Sequence, residues 1–321
     1  IFHSERHRLL FQAGGSVNGD LAAEGNQGMT RRELIRMGAC AALASNVRAS
    51  DQRFGPVMAF AKHLQWLAFD EVAVFLEEND LDGIEATVRK GGQVEPENVE
   101  RDLPRLAEAL EKRGRRVVMI TTDVNDAENP LSQRVIKTAD SLGIKWFRMA
   151  YYRYDLERPI LAQLEEHRQT VMRLADYLSG FQIMGLYQNH AGRNLVGGPI
   201  WDLHRLLEGV PADRVAAIYD LRHATVEGGL SWPVTWRVIR DRVRLIYMKD
   251  FRWEGRQAIN VPLGTGQVDP ALFDMVSTEV SEGTPVSLHM EYIDHRDPAR
   301  QRECMEAIAR DRRALRELTG V

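Results

Sequence analysis

The sequence predicts a single (β/α)₈ barrel that is preceded by an N-terminal segment outside the barrel. From Asp51 onward, short apolar runs with β-branched residues alternate with segments whose apolar residues recur every three or four positions. Eight such runs follow one another at the spacing of βα units, which favours parallel strands and a closed barrel. A doubly wound open sheet is the alternative, but no G-x-G-x-x-G follows the first run. We therefore expect residues 51–321 to form one TIM-barrel catalytic domain.

The apolar runs are the predicted strands of this barrel. They are Pro56–Ala61, Asp82–Arg89, Arg116–Asp123, Lys145–Tyr152, Gln182–His190, Arg214–Asp220, Arg244–Asp250 and Pro285–Tyr292. Helical segments with an apolar face separate them, as the spacing of Leu103, Leu106 and Leu110 illustrates. No long antiparallel region is expected.

Composition excludes several classes of protein. The chain has 321 residues and a formal net charge of −4, so it offers no basic field that would attract nucleic acid. Cys40 and Cys304 are too few and too far apart for a zinc ribbon or a disulfide scaffold. No run approaches the roughly 18 apolar residues that a membrane-spanning helix needs. The composition leaves a globular enzyme as the expected class, and a homo-oligomer is compatible with it.

Residues 1–50 are expected to be an N-terminal extension that is disordered or removed. We expect translation to begin at Met29, with residues 1–28 as an upstream extension. Thr30–Arg36 resembles a twin-arginine export motif, and Val47-Arg48-Ala49 follows as a cleavage site, which predicts a signal at 29–49 and a periplasmic protein. An amphipathic N-terminal helix on a cytoplasmic protein is the alternative. In either case residues 1–49 should contribute nothing to the barrel.

Charged and polar side chains gather where the predicted strands end. In a (β/α)₈ barrel the catalytic groups come from these C-terminal ends. Buried charges are costly unless they are paired or hold a ligand, so their convergence predicts one site. The candidates are Lys62, Glu85, Arg89, Arg148, Gln188, His190, Asp220, His223, Lys249, His289 and Glu291.

Several motifs in this set, taken in order, resemble the sugar phosphate isomerase/epimerase family, whose members are xylose-isomerase-like TIM barrels. The matching pieces are Gly83-Ile84-Glu85, Gln188-Asn189-His190, Tyr219-Asp220-Leu221-Arg222-His223, Lys249-Asp250, Pro262-Leu263-Gly264-Thr265-Gly266 and His289-Met290-Glu291-Tyr292. The resemblance implies a carbohydrate substrate and one divalent cation, held by Glu, Asp, His and Glu on the fifth to eighth strands.

Two of the four implied ligand positions match this sequence and two depart from it. Asp220 and Glu291 match, whereas Gln188 stands in place of the first Glu and Tyr247 in place of the His. Gln188 can bind a cation through its oxygen but cannot act as a base. The metal ligands expected from the resemblance are therefore Gln188, Asp220 and Glu291, with Mn²⁺, Co²⁺, Zn²⁺ or Mg²⁺ as the ion. His190, His223 and His289 lie near enough in the pattern to complete the shell.

The site residues and their roles follow from this reading. The expected catalytic residues are Glu291, His190 and Lys249, the last only if the site lowers its pKa. The expected substrate-binding residues are Lys62, Glu85, Arg89, Arg148, His223 and His289. The Gly264-Thr265-Gly266 loop is either a phosphate cradle or a tight turn before a helix.

The predicted function is metal-assisted removal of a proton next to the carbonyl of a sugar or keto-sugar, giving isomerisation or epimerisation. A lyase or hydrolase acting on 3-keto-glycosides is the first alternative, since a base is missing at position 188. A non-catalytic sugar-binding protein is the second. An apurinic endonuclease is disfavoured, because that enzyme needs more metal ligands and a basic groove.

Overall fold

A computed structural model describes residues 54–320, and in this part of the chain eight parallel strands close into a barrel, which confirms the predicted fold class. The strands in chain order are β1 (Phe54–Phe60), β2 (Gly83–Val88), β3 (Arg116–Thr122), β4 (Trp146–Arg148), β5 (Met184–Gln188), β6 (Val215–Asp220), β7 (Val243–Met248), β8 (Asp250–Glu254), β9 (Gln257–Val261) and β10 (Thr284–Leu288). The barrel order is β1, β2, β3, β4, β5, β6, β7 and β10, with β10 closing onto β1.

Helices cover the outside of the barrel. They are α1 (Phe69–Glu78), α2 (Val99–Glu111), α3 (Pro130–Ser141), α4 (Ile160–Leu178), α5 (Ile200–Leu206), α6 (Leu221–Gly228), α7 (Trp232–Ile239), α8 (Pro270–Glu279) and α9 (Gln301–Thr319). The start of α3 follows the rules for helix N-termini: Asn129 caps it by accepting a hydrogen bond from Leu131 N at 2.9 Å, and a proline occupies the first turn. Within residues 54–320, every helix is too short or too polar to span a membrane.

The hydrophobic core has two layers. A small cluster that includes Met58, Leu186, Ile218 and Leu245 fills the inside of the barrel. A much larger cluster lies between the strands and the helices. Above this apolar layer, buried polar side chains such as Glu85 lie toward the C-terminal ends of the strands, where the site is built.

Most of the strands are shorter than predicted, and the largest differences lie at their C-terminal ends. The strand predicted at Lys145–Tyr152 forms only as Trp146–Arg148, and the last strand ends at Leu288 instead of Tyr292. Isolated backbone contacts continue past the ladder, such as His289 N to Met248 O at 3.1 Å. The alternating sequence pattern continues beyond the point where regular strand pairing stops, so the pattern cannot locate the C-terminal end of a strand. As a result, Lys249, His289 and Glu291 stand just beyond the strands.

The hairpin β8–β9 is an antiparallel pair that the sequence pattern missed. The buried Asp250 carboxylate anchors the loop after it, accepting hydrogen bonds from Phe251 N, Gly264 N, Gly266 N and Val268 N at 2.8–3.1 Å. A Cβ on Gly266 would lie 2.2 Å from Asp250 Oδ1, which explains the glycine. The loop is therefore a turn around the chain's own carboxylate, and two of the N–H groups expected to cradle a phosphate are occupied.

The N-terminal predictions concern residues outside the described part of the chain. The twin-arginine motif, the signal at 29–49 and the extension 1–50 all precede Phe54. They remain predictions.

Candidate active site

Three predicted site residues meet at the C-terminal mouth of the barrel, because β6, β7 and β10 are neighbours in it. The ammonium of Lys249 lies 2.7 Å from Glu291 Oε2 and 3.1 Å from Asp220 Oδ2. Asp220 is fully buried, and 5% of the Lys249 surface is exposed. We call this group the Lys249 bridge. It joins both carboxylates that the resemblance assigns to a metal ion.

A cavity of about 490 Å³ opens beside the bridge. It is lined by Lys62, His63, Glu291, Tyr292, Ile293, Asp294, His295 and Arg296. Lys62 donates to Glu291 Oε1 at 3.1 Å, so Glu291 accepts from two lysines. Burial alone would raise the pKa of Glu291, but the charges of Lys249, His289 and Lys62 hold it well below its usual range. Glu291 is therefore ionised and lies at the boundary between bridge and cavity.

Lys249 does not meet the condition under which it was expected to act as a base. Burial lowers the pKa of an ammonium, but Asp220 and Glu291 outweigh burial here and raise the pKa of Lys249. A lysine that acts as a base would need a lowered pKa. Lys249 is a fixed positive charge in this arrangement.

His190 is a neutral imidazole with one free nitrogen. Its Nδ1 lies 2.8 Å from the carbonyl oxygen of Ala191, which can only accept, so Nδ1 carries the proton. Its Nε2 makes no hydrogen bond within residues 54–320. Burial and the charge of Lys249 lower the pKa of His190 to about 4. The ring packs against that of His223, with 3.8 Å between centroids and 34° between the ring planes, and this contact restricts its orientation.

The two nitrogens of His223 both face protein groups. Nδ1 accepts from Ala191 N at 3.2 Å and from Arg222 Nη1 at 2.8 Å, so in the neutral ring the proton is on Nε2. Nε2 lies 3.5 Å from Lys249 Nζ and 3.8 Å from Asp220 Oδ2. Burial, followed by the charge of Lys249, lowers the pKa of His223 well below its ordinary value. The arrangement favours a role in positioning rather than the expected contact with substrate.

Glu85 lies inside the barrel and is surrounded by protein donors. Its Oε1 accepts from Tyr247 at 2.6 Å and from the hydroxyl of Thr121, and its Oε2 accepts from Ser287 at 2.6 Å. His289 Nε2 completes the group at 2.9 Å from Oε2.

These contacts determine the pKa of Glu85 and the position of its partner His289. Burial would raise the pKa of Glu85, but His289 and the hydroxyl donors lower it to about 2. With its oxygens already accepting four hydrogen bonds, Glu85 has little capacity left for the substrate contact expected of it. The Nδ1 of His289 is buried without a hydrogen-bond partner in the described chain and lies 4.0 Å from Glu291 Oε2.

Arg148 and Gln188 form a second group on the neighbouring strands. Arg148 Nη1 donates to Gln188 Oε1 at 3.1 Å, and Gln188 Nε2 donates to Asp220 Oδ2 at 2.7 Å. The hydroxyl of Tyr151 contacts both Arg148 and Gln188. Sequence reasoning missed Tyr151 because it follows the end of β4, where alternation no longer predicts direction.

Two guanidinium groups at the mouth have no carboxylate partner among the described residues. Arg148 is 7% exposed, and its Nε is buried without a hydrogen bond. Arg89 is half-buried over the Phe60 ring, 5.8 Å from its centroid, and forms no ion pair with residues 54–320. Burial and the charge of Arg148 lower the pKa of Arg89. Both positions remain consistent with the expected contact to a hydroxyl or carboxylate of the substrate.

The donors at the expected metal position do not fit a divalent cation. Lys249 Nζ lies between Asp220 and Glu291, and Gln188 turns its N–H group, not its oxygen, toward Asp220. Tyr247, at the position expected for a His, donates to Glu85. Among residues 54–320, no three His, Cys, Asp or Glu side chains are grouped as metal ligands.

Comparison with known proteins agrees with this architecture. Solved structures similar to this chain include the IolI protein with a bound zinc atom, at 15% identity and a TM-score of 0.65, covering 83% of this chain and 98% of that one. D-Psicose 3-epimerase from Clostridium cellulolyticum H10 has 11% identity and a TM-score of 0.57, covering 81% and 99%. L-Ribulose 3-epimerase has 14% identity and a TM-score of 0.60, covering 83% and 96%. At these identities the likeness shows the shared fold.

The sequence comparisons give the family. No curated protein matches the chain in sequence. The profile of the xylose isomerase-like TIM barrel family matches residues 74–316, which is most of the barrel. The chain therefore belongs to the xylose isomerase-like TIM barrel family.

Proposed function

We infer that this protein is an enzyme that removes a proton next to the carbonyl of a sugar or keto-sugar and returns it as an isomerase or epimerase does. The observation that carries this proposal is the neutral His190 with a free Nε2 beside the Lys249 bridge. Such chemistry needs a base with a lone pair and a positive charge near the developing oxyanion, and the site supplies both. The epimerases that share the fold support a carbohydrate substrate.

Each group in the site has a role in this proposal. His190 Nε2 takes the proton from the carbon, and the electron pair moves onto the carbonyl oxygen as an enediolate. The ammonium groups of Lys62 and Lys249, which both contact Glu291, stabilise that charge in this proposal. Arg89 and Arg148 hold hydroxyl or carboxylate groups of the substrate. Return of the proton to the former carbonyl carbon, with transfer of the hydroxyl proton to the former carbonyl oxygen, completes an isomerisation. Return to the other face of the original carbon completes an epimerisation.

The test is exchange of substrate hydrogen with solvent. The purified chain is incubated in D₂O with free sugars and with 3-keto sugars, and ¹H NMR follows the loss of signal next to the carbonyl. We expect exchange with at least one sugar, and a rate that falls roughly 100-fold or more in His190→Asn. His204→Asn, at an exposed position on α5, is the matched control and should keep the full rate.

Two outcomes contradict the proposal. If sugars bind without any exchange, the protein is a non-catalytic sugar-binding protein. If exchange persists in His190→Asn, the base is another group, and Glu291 is the next candidate.

Gln188 favours a second candidate reaction, the β-elimination of a 3-keto-glycoside. Epimerisation commonly uses a base on each face of the substrate, but the Gln188 amide cannot accept a proton and its N–H group is already directed to Asp220. Elimination needs only one base: the proton next to the carbonyl is removed, the C–O bond to the leaving group breaks, and the leaving oxygen takes up a proton. Release of the alcohol from a chromogenic 3-keto-glycoside distinguishes it from epimerisation, which releases nothing.

A further inference from the structure

The Lys249 bridge resembles a cation-binding site. Its two carboxylates are the ligands, and the Lys249 ammonium is the cation. One ammonium contacts both carboxylates, at 2.7 and 3.1 Å. It is almost fully buried, as is Asp220, whereas the Glu291 side chain is 19% exposed toward the cavity. A buried charge pair persists only where each charge is compensated, and this one is compensated without an external ion.

The neighbouring side chains are turned in the direction that suits an ammonium. Gln188 presents its N–H group to Asp220 Oδ2, whereas binding of a metal would need its oxygen, which accepts from Arg148 and Tyr151. Tyr247, which stands where the resemblance implies a His ligand, donates its hydroxyl to Glu85. A divalent ion added here would share its carboxylates with Lys249 and be repelled by it.

The ammonium also keeps a donor for a ligand. It carries three N–H bonds, of which the two carboxylates accept two. His223 Nε2 is 3.5 Å away but does not accept, because its Nδ1 already takes two hydrogen bonds and the proton is on Nε2. One N–H bond of Lys249 is therefore left for an oxygen atom of the substrate.

We propose that the Lys249 ammonium occupies the place of the divalent cation that the family resemblance implies, and that the site works without a metal ion. Its charge stabilises the oxyanion that forms when the proton leaves the neighbouring carbon. This catalytic part rests on the proposed function, whereas the statement about metal binding does not.

Metal binding is measured directly on the full chain. The protein is treated with a chelator, dialysed and titrated with Mn²⁺ by calorimetry, with electron paramagnetic resonance as a second readout. We expect no stoichiometric binding by the wild type at millimolar Mn²⁺. Lys249→Ala frees both carboxylates and should bind Mn²⁺ at least roughly tenfold more tightly. Lys137→Ala, an exposed lysine on α3, is the matched control and should behave as wild type.

Lys249→Arg is the second variant, because it keeps the positive charge at this position. Like the wild type, it should fail to bind Mn²⁺. The wild-type titration decides the question even if every variant unfolds. One equivalent of Mn²⁺ bound tightly by the wild type would overturn the proposal.

A chelator experiment tests the catalytic part. With a substrate that shows exchange, kcat/KM should be unchanged in EDTA. A loss that Mn²⁺ or Co²⁺ restores overturns metal independence. If no sugar is turned over, the proposed function fails, and the Mn²⁺ titration still decides which cation the site holds.

Discussion

The Nε2 atom of His289 lies 2.9 Å from Oε2 of Glu85, and this contact orients the imidazole at the base of the site. Because an ionised carboxylate only accepts, Nε2 carries a proton, and Nδ1 has no hydrogen-bond partner in the described chain. Phe60 stacks on the same ring, 4.3 Å between centroids, and Tyr247 lies on it at 3.8 Å. Glu85 thus holds His289 next to Glu291 rather than binding substrate itself.

Glu85→Gln should therefore act mainly on stability. The amide brings an N–H group into a pocket of four donors, so it loses accepted hydrogen bonds and leaves His289 without its anion. We expect the free energy of unfolding to fall by about 3–5 kcal/mol, measured by urea denaturation. Glu111→Gln, exposed on α2, is the matched control and should change it by less than about 0.5 kcal/mol. A near-neutral result for Glu85→Gln would mean that the buried network contributes little.

Adding a carboxylate at position 188 should help metal binding only when Lys249 is removed. In the double variant Gln188→Glu with Lys249→Ala, three carboxylates face one position without an ammonium. We expect it to bind Mn²⁺ roughly 10- to 100-fold more tightly than Lys249→Ala alone, which corresponds to about 1–3 kcal/mol. The single variant Gln188→Glu should instead have a lower Tm, because its carboxylate replaces a donor 2.7 Å from Asp220. Tight Mn²⁺ binding by that single variant would contradict the role given to Lys249.

Arg89→Ala should weaken substrate binding while the fold is preserved. Arg89 forms no ion pair within the described chain, so its removal leaves no carboxylate unpaired. We expect KM to rise roughly tenfold with little change in kcat, and the free energy of unfolding to change by less than about 1 kcal/mol. Arg302→Ala, exposed on α9, serves as the control. An unchanged KM would remove Arg89 from the site.

Asp311 predicts a pH dependence of stability. It is buried on α9 and accepts from the Tyr292 hydroxyl at 2.9 Å and from Leu263 N at 3.3 Å. Burial outweighs these hydrogen bonds and raises the pKa of Asp311 from its ordinary 3.8 to about 6. Between these values the folded state holds a proton that the unfolded state has lost, so the contribution of Asp311 to stability falls as pH rises from 4 to 7.

The measurement compares wild type with Asp311→Asn, which keeps both hydrogen bonds but does not titrate. Wild-type stability relative to the variant should fall by about 3 kcal/mol between pH 4 and 7, from roughly two pKa units. Asp274→Asn, exposed on α8, should show no such trend. A constant difference across this range would show that Asp311 titrates normally.

A chain that begins at Asp51 should keep the thermal transition of the full chain. The first predicted strand lies after this position, and residues 1–49 are predicted to be an upstream extension followed by an export signal. The two Tm values, measured by circular dichroism, should agree within about 2 °C, which corresponds to less than about 1 kcal/mol. A large drop would show that the N-terminal segment packs on the barrel.

The barrel could be predicted from the sequence, and so could the gathering of charge at its mouth. The apolar runs and the helical periods between them recur eight times, and the (β/α)₈ rule places the strand ends together. Asp220, Lys249 and Glu291 were recognised this way, because Asp220 ends β6 and the other two follow β7 and β10 by one and three residues. The hairpin β8–β9 was not predicted, since it replaces part of a loop and carries little apolar alternation.

The eight strands of the barrel and the residues at its mouth could be read from the amino-acid sequence, because apolar periodicity is a local property of the chain. The contacts among those residues came from the folded barrel. Lys249 was expected to act as a base, yet two carboxylates from neighbouring strands make it a fixed cation. Glu85 was expected to bind substrate, yet donors from β3, β7, β10 and the loop that follows β10 occupy it. A pKa or a hydrogen-bond partner depends on distances between segments far apart in sequence, and these exist only once the barrel has closed.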